Sequence, residues 1–242
     1  MIVVTLSSAL ITAAAILLTS AFLRLLYILP SINPTPPTPH VRGSLTKLLI
    51  VLGSGGHTAE MLAILRNLDA ALYNHRVYIV SEGDQFSAQR ARDFERTLPT
   101  RCTSNKNRRQ DTAPLLGNGN YDIWTVPRAR KIHQSLLTTP FSALQSLWAC
   151  VQVLRRKPYP DLVMTNGPGT AVCVVLACLL LRFVGMRGTK WKMRTMYVES
   201  WARVKGLSLS GKILLRCVDR FLVQWPQLKG VGGRAEYLGI LV

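Results

Sequence analysis

Residues 1–23 carry no charged side chain and are drawn chiefly from Ile, Leu, Val and Ala. As an α-helix, at about 1.5 Å per residue, they would reach roughly 34 Å, enough to cross the hydrocarbon core of a bilayer. A cleaved signal peptide is the rival reading, but it wants a basic stretch before the apolar run, and none is present. The first basic residue, Arg24, comes after the run, followed by Arg42 and Lys47. The positive-inside rule then predicts one transmembrane anchor over 1–29, with the N-terminus on the far side and the body in the cytosol. Whatever follows must fold in water while tethered to a membrane.

The chain has 242 residues, of which 48% are hydrophobic and 17% charged. That apolar share excludes a disordered protein and suffices for one sizeable core. Five cysteines (Cys102, Cys150, Cys173, Cys178, Cys217) show no metal-ligand spacing. Their odd number and scatter favour a reducing compartment. Thirty Lys/Arg against twelve Asp/Glu give a net charge of +18. Such a charge suits nucleic acid, an anionic membrane surface or a phosphate-bearing substrate. No helix-turn-helix, zinc-finger or RNP pattern supports nucleic acid as a partner.

Five prolines between Pro30 and Pro39 predict a semi-rigid spacer over 30–43. From residue 44 to 242 the pattern predicts one α/β domain. Apolar strand-like runs at 47–52, 76–80, 122–126, 161–165, 194–198 and 220–225 alternate with helical periodicity. Helices are expected from residue 57 onward, where Met61, Leu62, Leu65 and Leu68 recur at helical spacing, and at 85–97, 136–154, 171–181 and 210–218. In the 136–154 helix, Phe141 and Trp148 read as aromatic anchors. Residues 99–120, rich in Asn, Arg, Gly and Thr, read as a disordered insert. Strand–helix alternation of this kind implies a parallel, Rossmann-like sheet with right-handed crossovers.

In such sheets ligands bind at the carboxyl ends of the strands. Three loops there carry unusual residues. The first is Gly53-Ser54-Gly55-Gly56-His57-Thr58. Its glycines allow close backbone approach, and the helix behind it offers unpaired N–H groups to an anion such as a diphosphate. Thr58 stands where a dinucleotide fingerprint wants its third glycine, and the GK[ST] ending of a Walker loop is absent. His57 could act as a general base, donate to a phosphate, or simply cap the helix. The second loop, Asn166-Gly167-Pro168-Gly169-Thr170, repeats the strand–glycine–helix junction. The third is Glu199-Ser200, whose carboxylate could bind sugar hydroxyls, accept a proton, or merely pair with Arg203. Glu82 ends the second strand, where a dinucleotide fold places its ribose-binding acid.

The apolar stretch 171–181 is too short to span a bilayer. It fits a buried core helix, or one that dips a face into the interface. Arg182, Arg187, Lys190, Lys192 and Arg194 follow it, as an anionic bilayer surface or an ordinary solvated loop would have them. The apolar tail 236–242 should either dock as a final strand or bind a partner.

Taken in order, GSGGHTAEML (53–62), SEGD (81–84), PRARKIHQS (127–135), TNGPGT (165–170), YVESWARVKGLSLSGKI (197–213) and DRFLVQWP (219–226) are specific. The chain resembles the membrane-anchoring subunits of the eukaryotic UDP-N-acetylglucosamine transferases of asparagine-linked glycosylation. Its glycine loop is also similar to that of the bacterial transferase that completes lipid II. The resemblance implies the acceptor-side half of a split GT-B glycosyltransferase, inactive alone. A separate soluble subunit would bind UDP-GlcNAc and supply the donor half. This chain would recruit it to the cytosolic face of the endoplasmic reticulum, and of the continuous outer nuclear membrane. Together they would add the second GlcNAc to GlcNAc-diphosphate-dolichol with inversion, with neither metal nor cofactor.

By the same resemblance, Gly53, Ser54, Gly55, Gly56 and Thr58 should lie at the acceptor diphosphate and sugar with Asn166, Gly167, Gly169 and Thr170. His57 or Glu199 would assist deprotonation of the acceptor O4. Tyr237, Leu238, Ile240 and Leu241 would dock the partner. Two other readings compete: a scaffold that recruits an enzyme without contributing to the site, and a membrane-tethered Rossmann oxidoreductase. The second lacks the third glycine and a recognisable Tyr-x-x-x-Lys pair.

Overall fold

A computed structural model describes residues 2–34, 46–69, 72–98, 120–130, 134–135, 137–186, 189 and 192–242. The expected insert (all but its last residue), most of the proline-rich spacer, Arg187, Lys190 and Cys102 lie outside them.

The apolar runs build one parallel sheet in the order β3-β2-β1-β4-β5-β6-β7. Its strands are β1 (Lys47–Val51), β2 (His75–Ser81), β3 (Asn120–Val126), β4 (Leu162–Asn166), β5 (Arg194–Val198), β6 (Arg220–Val223) and β7 (Ala235–Tyr237). The central strand β1 reads as an unbroken Leu/Ile/Val run after Lys47 because both its faces are covered. Alternate residues go to opposite layers. Leu48, Ile50, Tyr78 and Val80 meet Met61 and Ala91 from α2 (Gly56–Ile64) and α3 (Gln85–Thr97). Leu49, Val51, Val77 and Ile79 meet Cys150, Val174 and Cys178 from α4 (Thr139–Leu154) and α5 (Thr170–Val184). A third cluster joins Val175 of α5 and Leu214 of α6 (Leu209–Leu214) to Tyr197, Phe221 and Val223. Burial pushes the Cys150 and Cys178 thiols up to about 12, so they behave as packed hydrophobes.

Strand order reverses between β1 and β4, which pair in parallel with Val51 opposite Thr165. The loops leaving these two strands therefore open side by side at the same sheet edge, the topological switch point.

The α/β expectation holds, with a seventh strand where six runs were legible. The tail supplies it: Phe221, Leu222 and Val223 pair with Ala235, Glu236 and Tyr237. The helix after the glycine loop ends at Ile64 and tightens into a 3-10 turn, Leu65–Asn67. Three expectations need correction. Phe141 and Trp148 do not anchor α4; they point outward, 79% and 62% exposed, and Cys150, Val153 and Leu154 make the core contacts. The helix expected over 210–218 is shorter, ending at Leu214. Of the basic residues beside the 171–181 stretch, two are spent internally: Arg182, within α5, is buried against Asp219, and Lys192 pairs with Asp161.

Preceding the domain, α1 (Ile2–Ile28) is long and apolar enough to cross a membrane, with mean hydropathy 1.9 over Leu10–Ile28 and none of that stretch buried. Its last turns rest on α5. Arg24 donates from Nε to the Phe183 carbonyl at 3.2 Å and from Nη2 to that of Arg182 at 3.1 Å. A cation at a helix C-terminus is favoured by the helix dipole, and here it joins the Gly185 N–H, which the Arg182 carbonyl also accepts at 3.1 Å.

Candidate active site

At the switch point the two glycine loops and the β5–α6 loop enclose a cleft of about 830 Å³. Gly53, Ser54 and His57 form one wall, and Gly167, Gly169 and Thr170 the next. Glu199, Ser200 and Arg203 close the third side. Two helix N-termini, those of α2 and α5, start at this edge. Their unpaired N–H groups and partial positive charge suit an anion.

The glycines are required by the neighbouring histidine. A Cβ at Gly53 would stand 2.7 Å from that of His57, and one at Gly167 would stand 2.9 Å from its Cγ. Gly167 also sits at φ +75°, where an L side chain is strained. The imidazole thus fills the space that two glycines leave open between the first and second loops. Asn166 ties the loops together by donating its Nδ2 to the His57 carbonyl at 2.8 Å.

His57 Nδ1 faces Glu60 Oε2 at 3.6 Å, one helical turn further along α2. The other oxygen of Glu60 accepts the Ser200 hydroxyl at 2.8 Å. Burial works against the ionised Glu60, but contacts with His57, Ser200 and the Trp201 N–H outweigh it. They hold the carboxyl below its ordinary range. The carboxylate thus stands beside the ring, held in place from its other side by Ser200.

Other expected site residues have different surroundings. Thr58 is fully buried, and its hydroxyl binds the Gly53 carbonyl and Ser87 Oγ, so it braces the loop from behind. Gly55 takes φ +62° as the residue preceding α2, and neither it nor Gly56 lines the cleft. Thr170 does line it and meets Ser81 Oγ at 2.8 Å.

Glu199 borders the cleft but is 1% exposed, and it does not pair with Arg203. Its oxygens accept the Ser200 N–H at 3.1 Å, the Ser208 N–H at 3.0 Å and the Ser208 hydroxyl at 3.1 Å. Those bonds brace the loop between Ser200 and Ser208. Glu82 is exposed and outside the cleft; its carbonyl accepts from Arg128 Nε at 2.8 Å.

Sequence reading missed Arg128 and Arg130, which follow β3 and line the cleft together with Arg203. Their signal was position, since both lie just past the carboxyl end of a strand. Glu60 was missed as well, and only its spacing of three from His57 could have shown it.

The family described as "Oligosaccharide biosynthesis protein Alg14 like" matches residues 48–241. The chain belongs to this family. Relatives are close and nearly full-length. The UDP-N-acetylglucosamine transferase subunit alg14 of Schizosaccharomyces pombe is 43% identical over 196 residues, 80% of this chain and 82% of the relative. The subunit ALG14 of Yarrowia lipolytica is 40% identical over 230 residues, 95% and 97% of the two chains. The human subunit ALG14 is 39% identical over 220 residues, 91% of each. Among solved structures, MurG of Acinetobacter baumannii superposes with a TM-score of 0.50 at 14% identity. The likeness covers 81% of this chain but 45% of that one, and it establishes a shared fold. Every stretch that carried the resemblance lies within the Alg14-matched region.

Proposed function

We propose that this chain is the membrane-anchored, acceptor-side subunit of a heteromeric UDP-GlcNAc transferase. It adds the second GlcNAc to GlcNAc-diphosphate-dolichol at the cytosolic face of the endoplasmic reticulum. The observation that carries this reading is the cleft at the switch point. It combines two glycine loops, two helix N-termini and three arginines, a setting for a diphosphate, with one histidine held at its wall. The names borne by relatives of matching length support the reaction.

In this reading the acceptor diphosphate lies against Gly53, Ser54, Gly167, Gly169 and Thr170, within reach of Arg128, Arg130 and Arg203. Arginine gives paired donors matched to phosphate oxygens. His57 takes the proton from the acceptor O4 as that oxygen bonds to the anomeric carbon of the donor sugar. The bond from that carbon to UDP breaks, its electron pair leaves with the diphosphate, and the configuration inverts. Glu60, behind the ring, supports the imidazolium that forms. UDP is held by a separate soluble subunit, so this chain alone is inactive. Leu238 and Ile240, both exposed beyond β7, belong to the surface that docks it, with Tyr237 and Leu241 beside them.

The test is GlcNAc transfer to a synthetic GlcNAc-diphosphate-polyprenol, in membranes holding this chain with and without its soluble partner. Activity is expected with both and with neither alone. Full activity of His57→Ala in the assembled pair would reduce the chain to a scaffold. An inactive pair in intact membranes would overturn the reading.

A further inference from the structure

Among the described residues, most hydroxyls that line the cleft are spent on the protein itself. Thr170 and Ser81 bind each other, and Ser200 donates to Glu60. Ser208 donates to Glu199, accepts the Gly211 N–H at 2.9 Å and meets the Tyr197 hydroxyl at 3.3 Å. Ser54 is exposed, so water serves it. Ser210 is the exception: it lines the cleft, is 8% exposed, and its hydroxyl has no partner among the described residues. A hydroxyl confined in this way costs free energy until something bonds to it.

The backbone around Ser210 is fixed. A Cβ at Gly211 would collide with Glu199 Oε2, so the start of α6 lies directly against the loop carboxylate. Leu209, the residue before, also lines the cleft and is 76% exposed. The third wall therefore presents a hydroxyl donor and, next to it, an uncovered apolar side chain. An acetamide complements that pair, with a carbonyl oxygen to accept the O–H and a methyl group to pack on the leucine.

The acceptor sugar has such a group. With its diphosphate on the glycine loops and its O4 at His57, one lateral edge of the ring must face the third wall. That edge is either C2–C3, which carries the acetamide, or C5–C6. We infer that Ser210 and Leu209 form the subsite that reads the 2-acetamido group of the acceptor. Ser210 donates to its carbonyl oxygen, and Leu209 covers its methyl. This inference rests on the acceptor-side reading given above and adds to it the residues that select GlcNAc.

The test compares two synthetic polyprenyl diphosphate acceptors, one carrying GlcNAc and one glucose, with the full chain and its soluble partner in membranes. Wild type should prefer the GlcNAc acceptor in kcat/KM. Ser210→Ala should cut that preference about tenfold, the weight of one hydrogen bond to the substrate. A ratio between two substrates does not depend on how much of the variant folds. Ser210→Thr, which keeps a hydroxyl, should retain most of the preference, and Leu209→Ala should lower it. A wild-type ratio in Ser210→Ala would overturn the inference, whether or not both rates fall. A 6-deoxy-GlcNAc acceptor probes the opposite edge. If Ser210→Ala loses discrimination there and keeps it at C2, the hydroxyl reads the C5–C6 edge and the inference is wrong. A wild-type pair that transfers to neither acceptor would overturn the transferase reading, and this inference with it.

Discussion

Glu60 Oε2 stands 3.6 Å from His57 Nδ1, and Glu60 is fixed from its other side by the hydroxyl of Ser200, 140 residues further along the chain. The first and third loops thus meet on one carboxylate, which positions the ring that lines the cleft. Glu60→Gln keeps the shape and removes the charge. It should lower kcat by about 10²-fold, the lower end for losing support of a general base, with KM little changed. Glu60→Asp should restore part of the rate. Because Glu60 titrates below its ordinary value of 4.5, its stabilising contribution is present above that value. It is lost as pH falls through the depressed one. The acid limb of the wild-type pH–rate profile should therefore not carry an ordinary glutamate titration. An unchanged kcat in Glu60→Gln would remove the residue from the machinery.

Gly53 and Gly167 leave the space that His57 occupies, so adding one methyl group to either tests the ring's placement. Gly53→Ala would put its Cβ 2.7 Å from that of His57, an atom fixed by the α2 backbone, so the loop and the start of α2 must move apart and transfer should fall as the imidazole is displaced. Gly167→Ala adds the strain of φ +75° and should also cost about 1 kcal/mol in thermal or denaturant unfolding. Equal transfer by the two variants and wild type would show that the ring position does not matter.

The elements were legible where an apolar run ends at a chemically distinct boundary. The 85–97 helix and the 194–198 strand fall where their periodicity and flanks place them, and Asp84 caps the helix by accepting the Ser87 N–H at 3.1 Å. The glycine loops were legible because only close approach explains so many glycines before helices. Glu60 was hidden, since a glutamate on a helix reads as solvent-facing and Ser200 is remote in sequence. Glu199 was legible by position, after a strand at the cleft, but not its hydrogen bonds to the backbone and hydroxyl of Ser208. Periodicity alone cannot say whether an apolar row faces the core or the outside, which is why Phe141 and Trp148 were assigned inward.

Asp219 should set the domain's resistance to acid. One of its oxygens accepts from Arg182 Nη2 at 2.8 Å and from the Thr195 N–H and hydroxyl at 2.8 and 2.9 Å. Burial disfavours the charged carboxyl, but Arg182 and Thr195 reverse that and hold it below its ordinary 3.8. A depressed carboxyl stabilises the fold above its unfolded value and loses that contribution as pH drops through the folded one. Asp219→Ala would leave Arg182 buried without its counter-charge, at a cost of about 3–5 kcal/mol. Thermal unfolding across acid pH should show the wild type losing Tm as Asp219 protonates and the variant starting low with a flatter slope. Superimposable curves would contradict this.

The tail combines a structural half with an exposed half. Ala235–Tyr237 is bound into the sheet, whereas Leu238, Ile240 and Val242 are exposed. Gln224, 1% exposed, donates to the Glu199 carbonyl at 3.1 Å and accepts the Leu241 N–H at 3.2 Å. The tail is therefore coupled to the cleft's third loop by one side chain. Replacing Leu238 and Ile240 by serine removes apolar surface without breaking a hydrogen bond of the sheet. Unfolding free energy should stay within about 0.5 kcal/mol of wild type, the range for exposed substitutions. Co-purification of the soluble subunit, and with it transfer, should be lost. Gln224→Ala, by contrast, should keep the partner while slowing transfer, because the loop that carries Glu199 and Ser200 loses its tie to the tail. If the serine variant still captures the partner at wild-type yield, the docking surface lies elsewhere on the domain.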